Sequence, residues 1–122
     1  MKIVVTSYGK TVSDKMDRSF GRAKYFVVSD TENGDIKVFS NEQNVNASQG
    51  AGIQAARNVT DLGADIVITG NVGPNAFRTL TAASVRIFVA GKECETVKDA
   101  LLQWESGTLQ EVTDATVEGH WV

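Results

Sequence analysis

The run Ile66-Val67-Ile68, between Asp65 and Thr69-Gly70, does most to narrow the folds open to this chain. A strand apolar at successive positions has to be covered on both faces, as in the middle of a parallel sheet with helices above and below. The flanking residues fit that role. Before it, Gln49 to Leu62 has helical spacing: Ile53, Ala56, Val59 or Thr60, and Leu62 share a face, Ser48 can cap the start, and Gly63 suits a left-handed residue just past the end. After it, Gly70-Asn71-Val72-Gly73 leads to Pro74, placed where the first turn of a helix over 74–83 needs no backbone N–H. Val85 to Val89 reads as another strand, and Thr96 with Asp99 caps a helix that runs through Leu101, Leu102 and Trp104 toward Gly107.

The N-terminal part has a different rhythm. Lys2 to Ser7, Tyr25 to Ser29 and Ile36 to Phe39 read as strands, and Asn33-Gly34 supplies the positive φ angles of a tight hairpin between the last two. Three antiparallel strands followed by right-handed helical crossovers give one α/β domain over 1–107. Its sheet is mixed and five-stranded, in the order 3-2-1-4-5, with three helices and a tail over 108–122. This topology resembles the ribonuclease H-like architecture.

A chain of 122 residues buries roughly two-thirds of its unfolded surface and needs no disulfide or structural metal to hold a core. Cys94 is the single cysteine, and Met1-Lys2 passes straight into Ile3-Val4-Val5 with no signal-peptide pattern, so a cytoplasmic monomer is expected. No apolar run approaches the roughly 20 residues of a membrane span. Charge is uneven: residues 8–24 carry five basic residues against two acidic, whereas residues 93–122 carry seven acidic residues against Lys98. A basic loop in an otherwise acidic chain suits a small anion better than a nucleic-acid duplex, although a solvated surface loop has the same composition.

Strands one, three, four and five run the same way in this topology, so Tyr8–Gly21, Asn41–Gln49, Gly70–Gly73 and Ala90–Glu95 leave the sheet at one edge. Open α/β sheets place ligands there, beside the change in strand order. Gly50, Gly52, Gly70 and Gly73 allow a ligand close to bare N–H groups at helix starts, and Arg18 and Arg22 can add fork-shaped donors. The same glycines also serve tight turns and helix packing. Phe20 is either a loop anchor or a ring facing the ligand. Cys94, just before the last helix, is a candidate soft-metal ligand if the helix start favours its thiolate.

Other chemistries fit less well. Gly50-Ala51-Gly52-Ile53-Gln54-Ala55 matches G-x-G-x-x-[G/A], but it follows a long polar connector, and Gly70 stands where a ribose-binding acid is required. There is no P-loop. The first strand has no acidic residue for two-metal catalysis, and the lone His120 is not placed beside a nucleophile.

Asp17-Arg18-Ser19-Phe20-Gly21-Arg22, Gln49-Gly50-Ala51-Gly52 and Gly70-Asn71-Val72-Gly73-Pro74-Asn75, in this order, resemble the dinitrogenase iron-molybdenum cofactor-binding family over about residues 1–105. The resemblance implies a non-enzymatic domain that binds or carries an anionic iron- or molybdenum-containing sulfur cluster, exchanged with a donor or acceptor protein. It places the site at Phe20, Gly21, Arg22, Gln49, Gly50, Gly52, Gly70, Asn71, Gly73 and Asn75, to which the charge pattern adds Arg18. Ser84 stands where many relatives have Gly. The alternatives are a regulatory module that binds a protein through the acidic C-terminal region, and an enzyme acting on a small phosphorylated or carboxylated substrate at the same edge.

Overall fold

The computed structural model describes residues 1–46 and 50–113. Its strands are β1 (Lys2–Ser7), β2 (Tyr25–Asp30), β3 (Ile36–Ser40), β4 (Ile66–Thr69), β5 (Arg86–Val89) and β6 (Gln110–Glu111). Its helices are α1 (Glu42–Val45), α2 (Ala51–Asp61), α3 (Pro74–Ala82) and α4 (Val97–Glu105). The sheet order is β3-β2-β1-β4-β5-β6, with β1, β4 and β5 parallel and the remaining pairs antiparallel.

All four residues of β4 are buried, as the unbroken apolar run requires. Period-two alternation divides the strands between two cores. Val4, Phe26, Val28, Val67 and Ile87 pack under Ala55, Ala56 and Val59 of α2 and Ala76 and Leu80 of α3. Ile3, Val5, Val27, Ile66 and Ile68 pack against Val97 and Ala100 of α4. Burying each such Val or Ile contributes about 1.5–3 kcal/mol, so the sheet centre is the firmest part of the fold.

Two short elements add to the expected five strands and three helices. β6 pairs Gln110 and Glu111 with Val89 and Phe88, and Glu111 holds Arg86 through two hydrogen bonds of 2.7 and 2.9 Å. α1 follows Asn41, whose buried amide donates to the carbonyls of Gly21 and Ala23 and accepts from Asn44 Nδ2 at 2.7 Å. The sequence offered no apolar periodicity for either element, because both are held by polar pairing and not by a hydrophobic face.

The β2–β3 turn is looser than a two-residue hairpin. Residues 31–35 separate the strands, and Gly34 has positive φ (76°) while Asn33 does not. The Asn33 side chain instead accepts the Asp35 N–H at 2.9 Å, and Gly34 N–H donates to Asp30 O. Gly63 takes the left-handed conformation expected of it, at φ 80°. Thr96 and Asp99 cap α4 reciprocally. Ser48 lies outside the described residues, and the N-cap of α2 is Gly50.

Ser84 holds φ of 63° at the end of α3, where Ser84 N–H and Val85 N–H close the helix onto Thr81 O and Leu80 O. A side chain in this region costs about 1 kcal/mol that glycine avoids. Ser84→Gly is therefore expected to raise stability by about 0.5–1 kcal/mol, read from the urea midpoint; an unchanged or lower midpoint counts against this origin of strain.

Candidate functional site

The site is built around the connection from β1 to β2. Met16 and Phe20 are the two large apolar residues between 13 and 24, four positions apart, and they enter opposite cores: Met16 the α4 side, Phe20 the α2–α3 side. The segment between them therefore crosses the carboxyl edge of the sheet. It is fixed there by main-chain bonds: Asp17 N–H to Thr6 O (2.9 Å), Met16 N–H to Glu95 O (2.9 Å) and Asn71 N–H to Arg18 O (2.8 Å). Thr6 Oγ1 donates to Asp17 O at 2.6 Å and lies 2.9 Å from Thr69 Oγ1, tying this crossing to the ends of β1 and β4.

Two glycines let the pieces meet. A Cβ on Gly21 would lie 3.0 Å from both N and Cα of Gly52, so the crossing segment rests directly on the first turn of α2. A Cβ on Gly70 would lie 2.7–2.8 Å from Arg18 Cδ, Cα and O. A side chain at Gly70 would force the chain apart, and one at Gly21 would require the start of α2 to give by a few tenths of an ångström.

The result is a cavity of about 650 Å³ lined by three segments: residues 17–22, Gly50–Ile53 and Gly73–Ala76 with Asn71, with Tyr8 at its edge. The starts of α2 and α3 both face it. Gly50 (φ 77°) and Gly73 are their N-caps; among the described residues neither helix has a side-chain cap or an acidic residue in its first turn. The first N–H groups of a helix have no intrahelical acceptor, and with the dipole they favour an anion by up to about 2 kcal/mol in partly buried geometry. Gly73 is extended, with open space where a Cβ would stand, so no packing demand accounts for glycine at this position.

Of the sequence candidates, Arg18, Phe20, Gly21, Arg22, Gly50, Gly52, Asn71, Gly73 and Asn75 all line the cavity. Gly70 supports it from behind, and Gln49 lies outside the described residues. Several roles differ from expectation. Phe20 is buried to 2% exposure and packs on Phe26 with ring centroids 5.8 Å apart, which makes it the loop anchor. Arg18 lines the cavity but spends its guanidinium on the carbonyls of Ala90, Gly91 and Cys94 at 2.8–2.9 Å, residues that do not line it. Arg22 is exposed and donates to Val45 O at 3.2 Å. Asn75 Oδ1 accepts from Arg78 Nη2.

Cys94 is fully buried in the α4-side core and does not line the cavity. Burial pushes its thiol above the ordinary range, with the Asp99 charge adding and Arg18 opposing, so the helix start does not produce a thiolate. Among the described residues, no group of three or more His, Cys, Asp or Glu could hold a metal ion. His120 and the acidic residues Asp114 and Glu118 lie outside the described residues.

Ala51 and Pro74, within the loops that carry the resemblance, also line the cavity, as do Tyr8, Asp17, Ser19, Ile53 and Ala76, which were not named as site residues. Asp17 is the one of these with a sequence signal: an acid two residues before Ser19, whose N–H it accepts at 3.0 Å. Burial pushes the Asp17 carboxyl upward, with the Ser19 hydrogen bond and Lys24 opposing.

With the geometry in place, comparison with known proteins gives a consistent answer. The family described as dinitrogenase iron-molybdenum cofactor matches residues 1–107. This chain belongs to that family. The apo orange protein of Desulfovibrio gigas is 32% identical, with a TM-score of 0.88 and coverage of 95% of this chain and 96% of that one. A proposed NifB protein from Thermotoga is 34% identical, with a TM-score of 0.84 and coverage of 97% and 98%. An uncharacterized protein of Methanocaldococcus jannaschii is 26% identical over 80 residues, spanning 64% of this chain and 68% of the relative. Both structural relatives match this family member over nearly the whole chain.

Two outcomes test the geometry. Gly70→Ala forces Arg18 aside and is expected to cost about 1–3 kcal/mol in chemical denaturation. Asp17 has a folded pKa above its unfolded one, so its contribution is present at low pH and is lost as pH rises through the folded value. Stability of the wild type minus that of Asp17→Asn should accordingly fall with increasing pH across the carboxyl range; a difference that rises places the carboxylate in a favourable charged environment.

Proposed function

We propose that this protein is a non-enzymatic carrier of a small anionic metal-sulfur cluster of the iron-molybdenum cofactor type, received from or delivered to a partner protein during cluster assembly. The observation that carries this reading is the pair of uncapped helix starts facing one cavity, in a chain of this family. The donors they offer are neutral N–H groups, which suit a polyatomic anion, especially one whose metal already carries sulfide ligands. A bare metal ion would need lone pairs that these groups do not have. The family description, which names the iron-molybdenum cofactor, supports this class of cargo.

The polar lining among the described residues is Asp17, Ser19, Tyr8, Asn71, Asn75 and two arginines, which suits holding an anion by hydrogen bonds. Hydrogen bonds from rigid amides bind without requiring the cargo to lose a ligand. Such binding is reversible, as transfer to another protein demands.

Anaerobic reconstitution with iron, molybdate and sulfide is expected to give stoichiometric metal uptake and a visible absorption band. Absence of uptake under conditions that load a known binder overturns the proposal. Gly73→Asp provides a sharper test, because its side chain has room and would cap α3 with its own carboxylate. Stability should rise by about 0.5 kcal/mol while loading falls at least tenfold. Loading equal to the wild type would remove the start of α3 from the site.

A further inference from the structure

We propose that Arg18 is a positioning residue that sets the α3 side of the cavity through its own backbone, and that its charge does not act on the cargo. The guanidinium is occupied by carbonyls of residues that do not line the cavity: Nη1 donates to Ala90 O at 2.9 Å and Gly91 O at 2.8 Å, and Nη2 donates to Cys94 O at 2.8 Å. These three carbonyls belong to the β5–α4 connection, which is itself tied down by Ala90 N–H to Thr69 O and by Glu95 O accepting from Met16 N–H. The side chain thus fastens its own Cα to a loop already fixed at both ends.

What that Cα controls is the β4–α3 turn. Arg18 O accepts the Asn71 N–H at 2.8 Å, and Gly70 packs so closely on Arg18 that a single added carbon would meet its Cα and O at 2.8 Å. Gly70 and Asn71 precede Gly73, the uncapped start of α3, by three and two residues. A shift of Arg18 therefore moves the amides that line the cavity. The fork matters as well as the charge: a planar guanidinium spans three carbonyls at once, whereas an ammonium is a single point of donation.

The test compares wild type, Arg18→Lys and Arg18→Gln, each confirmed folded by far-ultraviolet circular dichroism. Amide hydrogen exchange is expected to accelerate at Asn71 by about tenfold or more in both variants while the β1–β4 ladder keeps its protection. Uniform acceleration, or unchanged Asn71, overturns the proposal. Anaerobic absorption titration with tetrathiomolybdate is expected to show affinity reduced about tenfold or more in both variants, with the wild-type salt dependence retained. Affinity of Arg18→Lys within about twofold of wild type, together with loss in Arg18→Gln, would assign the effect to charge and overturn it. The affinity measurements rest on the cargo reading; if wild type does not take up the probe that reading fails, and the exchange experiment alone decides the role of Arg18.

Discussion

The segment from Met16 to Phe20, laid across the carboxyl edge of the sheet, is the constraint on which the site depends. Its two apolar ends are buried in separate cores, so its path cannot relax without exposing one of them at a cost of roughly 1.5–3 kcal/mol. The hydrogen bonds between Thr6 and Asp17 then fix its height above β1. Everything that lines the cavity is measured from this crossing: Gly21 rests on the start of α2, and Arg18 holds the turn leading to α3. Stability and site geometry share the same few contacts, and at Gly70 the contact leaves no space for a Cβ.

The three long helices all begin at this edge, but their starts are not equivalent. α4 is closed on itself by Thr96 and Asp99, which satisfy its first donors internally and put a negative charge at its N-terminus. α2 and α3 begin with glycine, carry no first-turn acid and face the cavity. One fold thus contains both a finished helix start and two unfinished ones. The capped helix stabilises the domain, while the uncapped pair keeps its donors available. A structural helix gains from a cap worth about 1 kcal/mol, so two omissions on the same cavity point to donors reserved for another acceptor.

Much of this was legible in the sequence because it depends on residue type at close range. The apolar run in β4, Pro74 at the first turn of α3, Gly63 beyond α2 and the Thr96–Asp99 box each carry a local signal, and together they give the strand order through β5. The departure at Ser84 was visible too, and its cause is the left-handed backbone at that position. Arg18 was not legible: its sequence neighbourhood shows a cation beside glycines, but its acceptors lie 72 to 76 residues away. Cys94 was misplaced for a related reason. Its nearness to a helix start could be read from the sequence, whereas its burial between β1, β4 and α4 is a tertiary property that raises the thiol pKa. α1 and β6 depend on Asn41 and on the Arg86–Glu111 pair, interactions that leave no periodic trace.

The position of Asp17 bears on how such a site could release what it holds. Its carboxyl is buried at the cavity, accepts the Ser19 N–H, and is already pushed toward the protonated form by desolvation. Lys24 pulls in the other direction, as does Ser19. An anion entering the cavity would raise the carboxyl further, because two negative charges in a partly desolvated space repel more strongly than in water. Binding and protonation are then linked: the anion is held more firmly when Asp17 is neutral and less firmly when it is charged. The amides supply attraction that does not vary with pH, while Asp17, the one buried acid among the described residues, supplies an opposing interaction that does. A site made only of amides would lack this linkage, which depends on the acid that lines the cavity.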